Sequence, residues 1–209
     1  MNKKDWKDIT IAEYKKILEI NERELDSPLE KDMAVCALLN GIPEAEMYDK
    51  PVYEARKMLN ELDFMKEKFS FNQKWHLKKM VINGKKCKVF QSISDLTMAQ
   101  YLDFETYWKD RDKNQGAVLA CFIVPEGMNY NEGYSAIEFA QELEDTLSIC
   151  DWNAIAFFLC RQFYDLTRVS LKYGLWETQK AIWKTKDKMK KKELRALRRA
   201  IIYQLRSLG

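Results

Sequence analysis

The feature that most constrains the fold of this chain is a seven-residue string that occurs twice. Asp8-Ile-Thr-Ile-Ala-Glu-Tyr14 and Asp95-Leu-Thr-Met-Ala-Gln-Tyr101 share Asp, Thr, Ala and Tyr in the same register. In each copy the threonine is followed three residues later by Glu13 or Gln100, which is the spacing of a capping box. In that motif the two side chains satisfy free N–H groups in the first turn of a helix. The string therefore predicts two sharply started helices, one after each threonine.

The other signals for helix starts and helix ends in the chain also favour a helical fold. Ser27-Pro-Leu-Glu30 is a third capping motif with proline at the first helical position, and Asn40-Gly41 is a signal for a helix end. Only 7 Gly and 4 Pro occur in 209 residues, which is few for an all-β chain. Ala117–Val124 fits a buried helix or a buried strand, and we favour the helix. A long buried helix is predicted to begin at Asp151 and to end at Gly174.

Residues 77–90 are the exception to this helical pattern. Asn83-Gly84 is the strongest local signal for a type I′ hairpin turn, and the resulting register places Met80 opposite Cys87. The expected fold class is therefore mainly α, a multi-helix bundle with one small β-hairpin near residues 77–90. The predicted parts are 1–74 (N-terminal helices), 75–175 (hairpin and helical core) and 176–209 (a basic C-terminal helical arm), with 1–175 as one continuous domain in the alternative division.

The charge of the chain is concentrated near its C-terminus. The segment 184–199 contains nine basic and two acidic residues, so it carries +7, whereas the whole chain carries only +3. The rest of the chain is therefore about −4. A basic arm on a weakly acidic body is typical of proteins that bind an acidic protein surface, nucleic acid or a membrane face. A charged helix face that only contacts water is the alternative interpretation.

An apolar stripe runs beside these charges and favours docking in a groove of a partner protein over binding to free DNA. The stripe consists of Leu194, Leu197, Ile201, Leu205 and Leu208. Some of the six tryptophans border charged loops and could anchor interfaces, although a place in the core is favoured for each of Trp6, Trp75, Trp108, Trp176 and Trp183. The residues predicted to bind a partner are Lys190, Lys191, Lys192, Leu194, Arg195, Leu197, Arg198, Arg199, Ile201 and Leu205.

Motifs for catalysis, cofactor binding and metal binding are missing from the sequence. His76 is the only histidine, the five cysteines form no CxxC pair, and no Walker or G-x-G-x-x-G string occurs. The polar N-terminus predicts no signal peptide, and the longest apolar run is far shorter than the ~20 residues that span a bilayer. We therefore expect a protein that is not an enzyme, binds no cofactor or metal and does not enter a membrane.

Four stretches of the chain resemble small tail-region proteins of tailed bacteriophages, most closely those of crAss-like phages of gut bacteria. They are Trp6–Tyr14, Leu39–Glu44, Asp95–Phe104 and Val124–Gly127 with Tyr130. The resemblance covers the chain broadly, and its motifs are short helix-start signals. It implies no catalytic residues.

The resemblance implies a virion structural subunit, in a neck or tail ring or a connector, or else a tail-assembly chaperone. The expected partners are other phage structural proteins and further copies of the chain in a homo-oligomeric ring. The expected location is the virion, with the host cytoplasm during assembly. A third interpretation, carried by the charge rather than the resemblance, is weak and non-specific nucleic-acid binding through the basic arm.

Overall fold

The computed structural model of the chain describes residues 5–67 and 79–207. The chain divides into two compact units, Met1–Ala156 (unit 1) and Phe157–Gly209 (unit 2). Helices dominate the described residues, and one small antiparallel sheet accompanies them, which confirms the expected mainly α fold with a β-hairpin. Trp75, His76, the predicted hairpin start at 77–78 and Leu208 lie outside the described residues.

The helices of the described residues, in chain order, are α1 (Ile11–Glu22), α2 (Pro28–Asn40), α3 (Glu44–Tyr48), α4 (Val52–Leu59), α5 (Met98–Trp108), α6 (Gln115–Phe122), α7 (Ala136–Thr146), α8 (Ile149–Lys184) and α9 (Lys188–Ser207). The strands are β1 (Lys79–Ile82), β2 (Lys85–Val89) and β3 (Ile123–Pro125). Short 3-10 turns occupy Trp6–Asp8, Asn60–Lys66 and Ile93–Asp95.

Both copies of the repeated string form the predicted capping boxes. Thr10 Oγ1 accepts from the Glu13 N–H at 3.1 Å, and the Thr10 N–H donates to Glu13 Oε2 at 2.9 Å. Thr97 and Gln100 exchange the same two bonds at 3.3 and 3.0 Å. The third motif closes only half a box, because the Glu30 carboxylate accepts from the Asp26 N–H rather than from its N-cap serine.

We expect Thr10→Ala and Thr97→Ala each to lower the free energy of unfolding of unit 1 by about 1 kcal/mol, because each leaves a helix-start N–H without its side-chain acceptor. Chemical denaturation followed by circular dichroism measures this change. Thr10→Ser and Thr97→Ser are the controls, since serine keeps the accepting oxygen and should retain most of the stability. Equal losses for alanine and serine would contradict a capping role.

The two capped helices belong to the same unit. The Ile11 N–H donates to the Leu147 carbonyl at 3.0 Å, and the Ile149 N–H donates to the Ile9 carbonyl at 2.9 Å. These bonds pair the segment before α1 with the short connection between α7 and α8. The N-terminal helices and the later helical core are thereby joined by backbone hydrogen bonds within unit 1.

The sheet confirms the predicted hairpin and adds a strand that we did not predict. Lys79 pairs with Lys88 and Met80 with Cys87, as the Asn-Gly turn predicts. The apolar run predicted as a helix is helical only to Phe122, after which β3 pairs antiparallel with β2. The physical reason is that the hairpin leaves one edge of β2 unpaired, and the chain that follows α6 satisfies its backbone groups.

Unit 1 is held together by a core of large apolar side chains. Phe104 of α5 and Phe122 of α6 are almost fully buried, and their rings meet edge to face at 5.1 Å. The apolar residues Tyr53 of α4 and Met98 of α5 are exposed, at 71% and 72%. Met98 is the first residue of α5, and α4 is followed after Leu59 by a 3-10 turn whose Phe64 is buried and packs against Trp6.

Helix α8 starts close to the predicted place but does not end at Gly174. Ser148 is the capping residue, because the Asp151 N–H donates to Ser148 Oγ at 3.1 Å and the Ser148 N–H donates to Asp151 Oδ2 at 3.2 Å. The helix then continues through Gly174 to Lys184, so the predicted boundary at 176 falls inside it. A glycine inside a helix costs only about 1 kcal/mol relative to alanine, and packing within unit 2 overrides that preference.

Candidate partner-binding surface

Unit 2 contains a helical hairpin formed by residues 157–184 of α8 and by α9. Asp187 lies in the turn and caps α9, since its Oδ1 accepts from the Met189 N–H at 2.8 Å. A Cβ atom placed on Gly174 would lie 3.8 Å from Ile201 Cδ1, so α9 runs back along α8 with these two residues level. The hairpin is therefore antiparallel.

The predicted partner-binding residues of α9 do not all share one face of the helix. Those on the face that carries Ile201 are half-buried, namely Lys191, Leu194, Arg198, Ile201 and Leu205. Those that remain exposed are Lys190, Lys192, Leu197, Arg195 and Arg199. Leu197 of the predicted apolar stripe is 52% exposed, whereas Leu194, Ile201 and Leu205 are half-buried. The half-buried residues of α9 recur at intervals of three and four and form the face that packs on α8. Two of them, Lys191 and Arg198, are basic, and the apolar parts of their long side chains can pack in such a contact.

Five basic residues of α9 form a continuous exposed line, which we call the basic stripe. They are Lys188, Lys192, Arg195, Arg199 and Arg206. With about 100° of rotation per residue, they fall within an arc of about 60° on the helix. Glu193 is the only acidic residue in α9, so the helix neutralises little of this charge by itself. The stripe gives the surface a strong positive potential.

Helix α8 carries an apolar line that we did not predict, on the face opposite its buried residues, which we call the outer stripe. It consists of Leu166, Val169, Tyr173, Trp176 and Trp183 of α8, which are 47%, 64%, 63%, 56% and 77% exposed. The buried residues of the same stretch, Thr178 and Ile182, lie about 170° away around the helix. This part of α8 is therefore apolar on two opposite faces.

The signal for the outer stripe was present in the sequence. Its members recur at intervals of three and four residues, which is the heptad spacing of a helix–helix seam, and Lys180 occupies the one polar position within it. Ending the predicted helix at Gly174 divided the stripe and concealed its period. Of the tryptophans considered as interface anchors, Trp176 and Trp183 are exposed, whereas Trp6 and Trp108 are half-buried.

Unit 1 contains a cleft of about 900 Å³ between the sheet and the start of α5. Its wall includes Tyr130, whose hydroxyl donates to Asp103 Oδ2 at 2.9 Å and lies 3.7 Å from Cys121 Sγ. Burial raises the pKa of the Cys121 thiol to about 12, and burial together with these two neighbours raises the pKa of Tyr130. Both groups therefore stay protonated at neutral pH. The cluster ties α5 and α6 to the loop after β3 and supplies no thiolate nucleophile.

The described residues hold no group of three or more His, Cys, Asp or Glu side chains with the geometry of a metal site. Across residues 5–67 and 79–207, no helix combines the length and the apolar character that crossing a membrane requires. Comparisons of the chain with protein-family models, with curated proteins and with solved structures gave no match.

Proposed function

We propose that this protein is a non-enzymatic virion structural subunit of a tailed phage, part of a neck or tail ring or connector, that binds neighbouring proteins through unit 2. The observation that carries the proposal is the outer stripe of α8. Contiguous exposed apolar patches on folded proteins mark interaction sites, and Trp and Tyr are the side chains most enriched at the energetic centres of interfaces.

The phage setting rests on the resemblance of four sequence stretches to tail-region proteins of tailed phages. Two of these, Trp6–Tyr14 and Asp95–Phe104, contain the capping boxes that build unit 1. On this proposal the protein acts in the virion, it passes through the host cytoplasm during assembly, and its partners are other phage structural proteins. Unit 1 supplies a rigid body, and the hairpin of unit 2 supplies the contacts.

Quantitative mass spectrometry of purified particles and of infected-cell lysate tests the proposal. We expect the chain in purified particles at a fixed ratio to the major capsid protein, which serves as the internal standard. Abundance in the lysate together with absence from particles would replace the structural role by that of a tail-assembly chaperone. Absence from both particles and tail-protein complexes would contradict both roles.

The basic stripe favours a second candidate function, non-specific binding of nucleic acid. Lysine and arginine side chains that neutralise phosphates release condensed counterions, so such binding weakens steeply with salt. The five aligned and exposed basic residues of α9 can follow a phosphate backbone. Because α9 also carries Lys190 on a different side, the charge extends beyond a single line.

We expect the affinity for double-stranded DNA to fall at least tenfold between about 50 and about 200 mM salt. In a plot of log affinity against log salt concentration, the slope should become about three units less steep in the triple variant Lys192→Ala, Arg195→Ala and Arg199→Ala. Each substitution removes one side chain that neutralises a phosphate. Fluorescence anisotropy with a labelled duplex measures both quantities.

The matched control removes the same charge from unit 1, by Lys16→Ala, Lys57→Ala and Lys109→Ala at exposed positions. This control should leave the slope unchanged. If the two triple variants lose affinity equally, the binding follows net charge alone and the basic stripe is not a nucleic-acid site.

A further inference from the structure

We infer that the outer stripe of α8 binds the outer stripe of a second copy of this chain, with the two helices parallel. This inference deepens the proposed structural role by naming one partner, although its argument depends only on the geometry and charges of α8. The stripe extends from Leu166 to Trp183, which is about 26 Å of helix at 1.5 Å per residue.

The amount of exposed apolar surface is appropriate for a protein–protein interface. Aromatic side chains bury about 150–250 Å² each, so the five exposed side chains leave roughly 600 Å² of apolar surface in water. A standard interface buries about 800 Å² on each partner, and the polar residues that flank the stripe can supply the remainder. We expect a reversible dimer rather than a permanent one, because permanent interfaces are generally larger.

The charges beside the stripe identify the partner as α8 of another copy. Lys172 lies about 70° to one side of the stripe and Glu177 about 70° to the other side. These are the flanking positions of a heptad seam, where a residue of one helix faces the residue five positions later on a parallel partner. In a parallel pair, Lys172 of each copy therefore faces Glu177 of the other copy, which gives two ion pairs across the seam.

Helix α9 of another copy is a poorer partner for the outer stripe. The outer stripe contains Lys180 and is flanked by charges of both signs, Lys172 and Lys184 against Asp165 and Glu177. Helix α9 carries eight basic residues and one acidic residue, so it would place like charges opposite the three lysines of the stripe. Lys180, the one polar member of the α8 seam, is drawn aside in this structure, since its Nζ lies 4.6 Å from the centre of the Trp176 ring and 4.0 Å from Glu177 Oε1.

Sedimentation velocity of the full chain over the micromolar range tests whether it self-associates. We expect reversible dimers of the wild-type protein, and Tyr173→Glu should abolish them by placing a charge at the centre of the outer stripe. Tyr203→Glu is the matched control, because Tyr203 is 76% exposed on α9, outside the outer stripe. Circular dichroism checks that both variants keep their helices. A wild-type chain that stays monomeric, or equal effects of the two substitutions, would overturn the inference.

Charge reversal tests both the identity of the partner and the parallel orientation. Lys172→Glu and Glu177→Lys should each weaken self-association by about tenfold, because each places like charges opposite one another at two sites. An equimolar mixture of the two variants should recover the wild-type affinity, since each then supplies the charge that the other needs. The pair Lys50→Glu and Glu46→Lys, on an ion pair of unit 1, should change nothing.

Failure of the mixture to recover affinity would exclude the parallel pairing of two outer stripes. Such a failure leaves the particle measurement unaffected, because a subunit can enter a virion through other partners. Conversely, a dimer with the expected charge dependence and no presence in particles would keep the outer stripe as a dimer interface and remove the virion role. The two proposals can therefore fail separately.

Discussion

Replacing Gly116 by alanine is expected to lower the free energy of unfolding of unit 1 by about 3 kcal/mol, because α6 and α7 meet at this residue without room for a side chain. An added Cβ atom would overlap the Ala140 carbonyl oxygen and would lie 2.6 Å from Glu144 Cγ. The carbonyl belongs to the backbone of α7, so the overlap is relieved only when the two helices separate.

Separation of α6 and α7 also breaks a polar network. Glu144 Oε1 accepts from the Gly116 N–H at 2.8 Å and from Lys15 Nζ at 2.6 Å, and the Glu144 side chain is only 12% exposed. Lys15 Nζ also donates to the Lys113 carbonyl at 2.8 Å. One methyl group at Gly116 therefore disturbs the contact of α1, α6 and α7 together.

Gly174→Ala is the matched control, since it makes the same change inside another helix. A Cβ atom there would lie 3.8 Å from Ile201 Cδ1, which is an ordinary van der Waals contact. This substitution should therefore stabilise unit 2 by about 0.5–1 kcal/mol through helix propensity. Hydrogen exchange measured by mass spectrometry reports on each unit separately. A Gly116→Ala variant as stable as wild type would contradict the close approach of α6 and α7.

Phe104→Ala is expected to lower the free energy of unfolding of unit 1 by about 4 kcal/mol, which is the second large effect. The Phe104 side chain is fully buried and packs edge to face on Phe122 at 5.1 Å and beside Trp108 at 5.3 Å. Truncation removes the transfer free energy of the ring and leaves a cavity between α5 and α6. Because both flanking rings are anchored on helices, the cavity can collapse only in part.

Met98→Ala in the same helix is the control, because Met98 is 72% exposed and its truncation should cost less than about 0.5 kcal/mol. Phe104→Leu should be intermediate, since it restores most of the apolar volume. Denaturant unfolding followed by circular dichroism measures all three variants. Similar losses for Phe104→Ala and Met98→Ala would show that α5 does not present Phe104 to the core.

Local motifs are the features that the sequence predicts reliably. The boxes at Thr10 and Thr97, the helix end at Gly41 and the hairpin register at Met80 and Cys87 are all confirmed. Each depends on atoms that are close along the chain. Gly41 has a φ of +65°, which a side chain would disfavour, so the glycine itself specifies the end of α2.

The candidate binding surface was predicted less well, for a different reason. The basic residues of α9 were identified from composition, but which of its apolar residues stay exposed, such as Leu197, is visible only in the structure. The outer stripe was missed because Gly174 has a local preference to end a helix, whereas α8 continues through it to Lys184. The spacing of three and four residues in the outer stripe cannot be recognised when the helix is predicted to end in the middle of the stripe, at Gly174.

The sequence by itself determined where α1, α2 and α5 start and how the hairpin turns, because capping bonds and Asn-Gly turns are satisfied within four residues. Only the tertiary structure decided three other features: that Ile123–Pro125 pairs as a strand, that α8 continues through Gly174, and that the line from Leu166 to Trp183 remains in water. Each of these features depends on contacts with strands or side chains that are distant in the sequence. Such groups come together only when the chain folds.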